Sequence, residues 1–244
     1  MALPIALTFI AAFSSFVTKE SFYYTSENVI VRGPLISIPF IASAFYFVYM
    51  LIDAAKKQGL DVTLETCAHY LLFNENAYET HGVYAKCAPP LRAPSIQQEM
   101  IDLVVDGKID FITSDHSPCP PELKDLTKMN FFEAWGGISG GQFTLLTMLD
   151  IAKDYQLPLT TIAKLLSASP AERFGLAKKG QIAVNMDADF VIIEEGPYTV
   201  TREDIYARHK ETLYEGHQFS HRIVATYSKG VKVFEQRVFE SDLN

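Results

Sequence analysis

Along the middle of this chain, apolar residues recur at two spacings: every second residue, as in strands, and every third or fourth residue, as in helices. Residues 61–70 ("DVTLETCAHY") alternate and predict a strand, and residues 83–92 predict a shorter strand that stops at two prolines. A helix is predicted next, with Ser95 as its N-cap and one apolar face made of Ile96, Met100, Leu103 and Val104. The apolar run before Asp115 predicts another strand, and this order is typical of βα units with a parallel sheet.

Two predicted helices end at glycines, and a strand-like pattern of apolar and polar residues follows the second of them. Residues 53–59 predict the end of an amphipathic helix that is capped by Gly59, and Gly175 is expected to end a short helix. The pattern Ser169-Pro170-Ala171-Glu172 predicts a capping box at the start of that short helix. After residue 176 the chain alternates apolar and polar residues around Gly and Asp turns, which predicts a small β-sandwich segment.

The first fifty residues are unusually apolar. Residues 1–18 carry no charge, but they match a signal peptide only loosely because no positive charge precedes the apolar run. Gly33–Ile52 is a second uncharged stretch, long enough to span a membrane. Pro34 and Pro39 favour a buried strand and helix start over a membrane span. A protein anchored in a membrane through Gly33–Ile52 therefore stays as an alternative.

The net charge and the cysteines limit which partners and which cellular compartment the sequence predicts. The net charge is −8 and no Lys/Arg-rich run occurs, which argues against nucleic acid as a partner. Three widely spaced cysteines without a CxxC motif predict reduced thiols and a cytoplasmic location, with membrane association as the alternative. The sequence leaves a homo-oligomer open.

Three predicted strand ends carry polar groups, at residues 66–69, 86–88 and 114–116. Active sites of parallel α/β barrels lie at the carboxyl ends of the strands. Asp115 follows an apolar run, and a carboxylate there can bind a metal ion and take a proton from metal-bound water. The alternative is an aspartate that caps the turn over Ser117. For His69 we favour a core histidine whose ring nitrogens bond to the backbone.

Together these segments resemble one enzyme family. The motifs that carry the resemblance occur in the same order in allantoinases: "ETCAHYLLF", "KCAPPLR", "ITSDHSPCPPELK", "AWGGISGGQ", "SASPAERFGL" and "KGQIAVNMDADFVI". Allantoinases belong to the cyclic-amidase branch of the amidohydrolases, beside dihydropyrimidinase and dihydroorotase. The resemblance runs from about residue 51 to residue 236 and corresponds to the C-terminal half of a family member.

The resemblance implies an α/β fold with three parts. An atypical apolar segment at residues 1–50 would precede a partial (β/α)8 TIM barrel at residues 51–178, made of the C-terminal βα units. A small C-terminal β-sandwich segment would occupy residues 179–244.

The resemblance also implies a reaction and its residues. The family hydrolyses the ring amide C–N bond of a cyclic ureide, converting allantoin to allantoate in purine catabolism, with two metal ions that are usually zinc. Asp115 would be a metal ligand and the catalytic proton shuttle. Substrate contacts, largely through the backbone, would come from Cys87, Ala88 and Ser139.

The chain departs from the family pattern at the metal ligands. The family uses a His-x-His pair, a carboxylated lysine, two further histidines and an aspartate. Here only Asp115 is present, since no His-x-His occurs and no histidine precedes His69. Zinc sites need about three or four protein ligands. We therefore expect no activity from this chain alone, as a fragment or as a gene product with incorrect first exons. The alternative is a true short, non-catalytic homologue that acts as an interaction protein.

Overall fold

The computed structural model describes residues 48–236, and the chain divides into two compact units, Met1–Leu64 and Glu65–Asn244. In the first unit, helix α1 covers residues 48–57. Gly59 has φ +77° and the Leu60 N–H donates to the Ala55 carbonyl, which confirms the predicted glycine-capped end. Most of the candidate span Gly33–Ile52 lies outside the described residues. Within residues 48–236, no helix combines the length and hydrophobicity that a bilayer crossing requires.

The second unit begins with two adjacent parallel strands. Strand β1 (Glu65–Cys67) pairs with β2 (Phe111–Thr113), so that Cys67 lies opposite Thr113. The connection between the two strands contains α2 (Ala68–Leu72), α3 (Ala77–His81), a 3-10 helix (Gly82–Ala85) and α4 (Pro94–Val105). A long helical connection is what a parallel pair requires, and it confirms the mixed α/β class.

Three local predictions in this region are wrong in whole or in part. The strand predicted at residues 61–70 covers only Glu65–Cys67, and helix α2 begins at Ala68. Residues 83–92 do not form a strand: a 3-10 helix ends at Ala85 and an irregular loop follows, because prolines lack the N–H that a strand ladder needs. Ser95 is not the N-cap of α4. The helix starts one residue earlier, at Pro94, whose fixed φ suits the first helical turn.

Further helices cover the next part of the chain. They are 3-10 turns at Pro121–Lys124 and Gly141–Phe143, then α5 (Thr144–Asp154), α6 (Leu159–Ala163), a π-helix (Lys164–Ala168) and α7 (Ser169–Arg173). The predicted capping box at Ser169 is wrong, because Ala168 and Ser169 both have helical dihedral angles and the run continues through them. Gly175, with φ +66°, follows the end of this run as predicted.

An antiparallel sheet forms the C-terminal part of the described chain. Its order is β3 (Phe190–Thr199), β4 (Gln218–Ser228) and β5 (Val231–Glu235), with a 3-10 turn at Arg202–Asp204. The sheet is joined to α5 by Asp150, whose Oδ1 accepts hydrogen bonds from the backbone N–H and the hydroxyl of Ser220 at 2.9 and 2.5 Å. A buried stack of Phe143 on Tyr214, with centroids 4.7 Å apart, fixes the chain just before α5.

Candidate active site

The candidate site lies at the carboxyl ends of β1 and β2. Because Cys67 and Thr113 are register partners, the residues that follow each strand emerge at the same edge of the sheet. Asp115 is exposed there and adopts φ +42°, a left-handed conformation that costs free energy for a residue with a side chain. Such outliers cluster at functional sites, and this one marks Asp115 as a candidate independently of its motif.

The Asp115 carboxylate is electrostatically unusual. Partial burial raises its pKa above the ordinary value of an aspartate. Burial also raises the pKa of the Cys67 thiol to about 11 and that of the Cys87 thiol to about 12, and the nearby negative charge of Asp115 adds to both shifts. No salt bridge or hydrogen bond to this carboxylate occurs within residues 48–236. A carboxylate with a raised pKa and a free face can bind a cation or exchange a proton.

The alternative role of Asp115 as a turn cap is not seen. The Ser117 N–H donates to the Ile138 carbonyl at 3.0 Å and not to the Asp115 carboxylate. The Ser117 hydroxyl donates to the main-chain oxygen of Asp115 at 3.0 Å. The turn is therefore held by Ser117, and the Asp115 carboxylate takes no part in it.

The loop after Asp115 is joined closely to the glycine-rich segment at residues 136–141. His116 forms a parallel bridge with Ile138, and its Nδ1 accepts the N–H of Gly141 at 3.1 Å. At Gly137, a Cβ atom would lie 2.5 Å from the Ser117 carbonyl oxygen, so only glycine fits there. These contacts fix the position of Ser139, which is itself buried.

A third segment, residues 86–88, completes the cluster. The Gly137 N–H donates to the Lys86 carbonyl at 2.9 Å, and a Cβ atom at Gly136 would lie 4.0 Å from that of Ala88. Ala88 is exposed, whereas Cys87 is buried and its thiol donates to the Pro89 carbonyl at 3.1 Å. A ligand would therefore meet Cys87 only through its main chain. The structure thus brings the predicted residues Asp115, Cys87, Ala88 and Ser139 into one network of loops.

Two lysines in this network were not predicted as site residues. The ammonium groups of Lys86 and Lys124 are each surrounded by main-chain carbonyls of the loops. Nothing in a sequence pattern distinguishes a lysine that binds backbone oxygens from a solvated one.

His69 lies next to this network and is fully buried. Burial lowers its pKa to about 4, while the Ser114 backbone opposes this shift. Contrary to expectation, neither ring nitrogen has a hydrogen bond of ordinary geometry within the described residues. The ring is therefore neutral at pH 7.

The donor set does not fit the two-metal site that the resemblance implies. Among residues 48–236, no group of three or more His, Cys, Asp or Glu side chains is arranged to hold a metal ion. Asp115 contributes one carboxylate, and the Nδ1 of the adjacent His116 is already occupied as an acceptor. One carboxylate does not supply the three or four ligands that a zinc ion needs.

Comparison with known proteins gives a consistent picture. The Amidohydrolase family profile matches residues 124–234. An allantoinase of Bacillus velezensis is 51% identical over 184 residues, which cover 75% of this chain and 40% of the relative. An allantoinase of Deinococcus radiodurans is 41% identical over 228 residues, 90% of this chain and 50% of the relative. An L-hydantoinase (dihydropyrimidinase) structure from Arthrobacter aurescens matches with a TM-score of 0.72 at 28% identity, over 77% of this chain and 42% of that one.

The chain spans half or less of the length of these relatives. Over that span, the order of motifs, the high identity to allantoinases and the fold shared with hydantoinases agree with one another. The chain belongs to the amidohydrolase family and, within it, to the cyclic amidohydrolases beside the allantoinases.

Proposed function

We propose that this chain is the part of an allantoinase-type enzyme that carries the proton-shuttling aspartate and the substrate loops. The reaction is the hydrolysis of a ring amide C–N bond in a cyclic ureide, with allantoin and water giving allantoate in purine catabolism. The observation that carries the proposal is the single network formed by Asp115 and the segments 86–88 and 137–139.

The proposed chemistry follows from the groups in this network. A cyclic ureide presents alternating N–H and C=O groups in a plane, which main-chain N–H and C=O groups of two facing segments can match. Asp115 would accept the proton of the attacking water and deliver it to the departing ring nitrogen. Its raised pKa suits a group that must both take up and release a proton.

Members of the amidohydrolase family are metal-dependent, but the described residues do not fit a metal site by themselves. We infer that zinc, if it is the metal, would need ligands beyond the groups of residues 48–236. The chain alone is then expected to bind a cyclic ureide weakly and to hydrolyse it no faster than a variant without Asp115.

The finer architecture belongs to the same proposal. The parallel pair β1–β2 supports a partial (β/α)8 barrel over residues 51–178, and the antiparallel sheet β3–β5 supports a β-sandwich segment over residues 179–244. Residues 1–50 would be a separate apolar segment, and the location would be cytoplasmic. The comparisons offer no support for an interaction protein without catalysis or for a membrane-anchored protein.

The test uses the purified chain with allantoin and added zinc, beside Asp115→Ala as the control. We expect no hydrolysis above the control and less than one zinc ion bound per chain by elemental analysis. In nuclear magnetic resonance spectra, allantoin should shift the amide signals of residues 86–88 and 137–139. Two bound zinc ions with hydrolysis that disappears in Asp115→Ala would contradict the inactivity of the chain. Allantoin shifts elsewhere, or none, would contradict the ureide site.

A further inference from the structure

Lys124 is a buried cation that is bound by backbone oxygens. Its side chain is 7% exposed, although it lies in a short 3-10 turn after the proline-rich loop. The Nζ donates to the carbonyls of Gly137 at 2.7 Å and Val83 at 3.1 Å, with longer contacts to Tyr84 and Lys86 at 3.4 and 3.5 Å. No carboxylate forms a salt bridge with it within the described residues. Lysines are almost never buried without such a partner.

The carbonyls around Lys124 belong to two different segments. Val83, Tyr84 and Lys86 immediately precede Cys87 and Ala88, while Gly137 lies two residues before Ser139. One ammonium group therefore sets the distance between the two segments that are proposed to hold the substrate ring. Burial lowers the pKa of Lys124, but carbonyl oxygens accept hydrogen bonds and so favour the protonated amine.

Lys86 makes the reciprocal connection. Its Nζ donates to the carbonyls of Phe131 at 2.7 Å, Phe132 at 2.9 Å and Ala134, all in the segment that leads to Gly137. Its ammonium also lies 5.4 Å from the centre of the Phe131 ring. Lys124 thus connects residues 83–86 with Gly137, and Lys86 connects the same first segment with residues 131–134; we call this arrangement the lysine clamp.

We infer that Lys124, with Lys86 in support, is a positioning residue that sets the geometry of the substrate-holding backbone. The inference rests on the proposed function, because it gives the clamp a role toward the ureide ring. Main-chain groups cannot be tuned by changing their side chains, so their spacing must be fixed by something that binds backbone. A cation with three donors does this for several carbonyls at once. Displacements of under 1 Å at such groups are enough to weaken binding.

The test compares Lys124→Met, which keeps the length of the side chain, with Lys128→Met in the full chain. Lys128 is the matched control because its side chain is 66% exposed and forms a salt bridge with Asp125, three residues earlier in the chain. Amide hydrogen exchange should become about tenfold faster at residues 83–88 and 136–139 in Lys124→Met, with α5 unchanged. Lys128→Met should leave both segments as in the wild type. Unchanged exchange, or an increase spread over the whole chain, would overturn the clamp.

A second measurement separates positioning from stability. The dissociation constant for allantoin, followed by amide shifts, should rise about tenfold in Lys124→Met, as expected from the loss of a charge-assisted bond. Leu149→Ala in α5 should lower the melting temperature at least as much but change allantoin affinity less than about twofold. Equal losses of affinity in the two variants would overturn the positioning role.

Two further outcomes keep the proposals separate. If Lys124→Met does not fold, Lys86→Met takes its place, because Lys86 is less buried; the same two segments should then exchange faster, and no change would overturn the clamp. If the wild-type chain does not bind allantoin, the proposed function is overturned, and the exchange pattern alone supports or overturns the clamp.

Discussion

Lys124 of the lysine clamp and the Asp115 carboxylate both lie in the connection that follows β2, but they differ in how fully the chain surrounds them. Lys124 is buried, and every contact that fixes it comes from residues 83–137. Asp115 is exposed, in a strained conformation, and its carboxylate has no partner within the described residues. The described residues therefore supply the hydrogen-bond partners of Lys124, whereas a metal ion at Asp115 would find one carboxylate ligand.

This difference shows which part of such a candidate site can form in a chain that spans half or less of its relatives' length. The supporting loops need only main-chain groups and a few long side chains, and residues 83–137 of this chain supply all of those that contact Lys124 and Lys86. A metal or catalytic centre draws residues from several strands, because each side chain must approach the reacting atoms from a different direction. The supporting loops can therefore fold without the metal or catalytic centre.

The largest expected effect concerns His69, which is buried next to Ser114. Its pKa of about 4, against 6.5 for an ordinary histidine, corresponds to about 3 kcal/mol of stability. This stability is fully present above pH 6.5 and is lost as the pH falls through 4, because the folded state resists protonation. In His69→Gln this loss should disappear. Urea unfolding of both proteins between pH 7 and pH 4 measures it, and parallel curves would show that His69 is not the group responsible.

The next effect tests the close contact between the loops. In Gly137→Ala the new Cβ would overlap the Ser117 carbonyl, and we expect a loss of about 2 kcal/mol in unfolding free energy. The neighbouring Gly136→Ala is the matched control, since its Cβ would have only ordinary contacts at 3.8 Å and beyond. Thermal unfolding compares them. Equal melting temperatures for the two variants would mean that the loops separate easily.

A smaller effect is expected at His116. In His116→Phe the ring volume is kept, but the Nδ1 acceptor for the Gly141 N–H is lost. Because the site is exposed, water can replace part of this bond, and the cost should be about 1 kcal/mol. Faster hydrogen exchange at the Gly141 amide, with little change at α5, is the expected readout. A protected Gly141 amide would show that another acceptor holds it.

The smallest effect on stability is expected at Asp115 itself. Its raised pKa means that the folded state prefers the protonated carboxyl, so its contribution to stability is present below the usual aspartate pKa and is lost as the pH rises through the folded value. Asp115→Asn should therefore match or slightly exceed the wild-type stability at pH 7, within about 0.5 kcal/mol because the site is exposed. A clear destabilisation, measured by urea unfolding, would make Asp115 a structural residue instead.

The sequence predicted the parts of this site that depend on local pattern. Asp115 at the end of a strand, the glycine-capped helix end at Gly59 and the strands after residue 176 all follow from periodicity and turn residues. The strand predicted at residues 83–92 is wrong because the prolines beside its apolar residues cannot donate to a strand ladder. The predicted capping box at Ser169 is wrong because the preceding helix continues into α7 through a π-helical turn, which a capping pattern does not predict.

The clamp was missed for a different reason. Lys124 binds main-chain carbonyl oxygens. Every residue has one, so no residue type in the sequence indicates which of them a lysine will bind. The left-handed conformation of Asp115 and the overlap that excludes a side chain at Gly137 are likewise set by how the loops meet. Residue types therefore indicated the chemistry, while the backbone geometry that supports it had to be observed.

The most direct test of the account is a chimera with the Bacillus velezensis allantoinase, in which the matching 184-residue segment is replaced by its counterpart from this chain. The relative would supply the parts of the centre that lie outside the segment. We predict allantoin hydrolysis by the chimera, and a loss of about a thousandfold or more in kcat when Asp115→Asn is introduced. A folded chimera without allantoin hydrolysis, or one whose kcat does not depend on Asp115, would contradict the account.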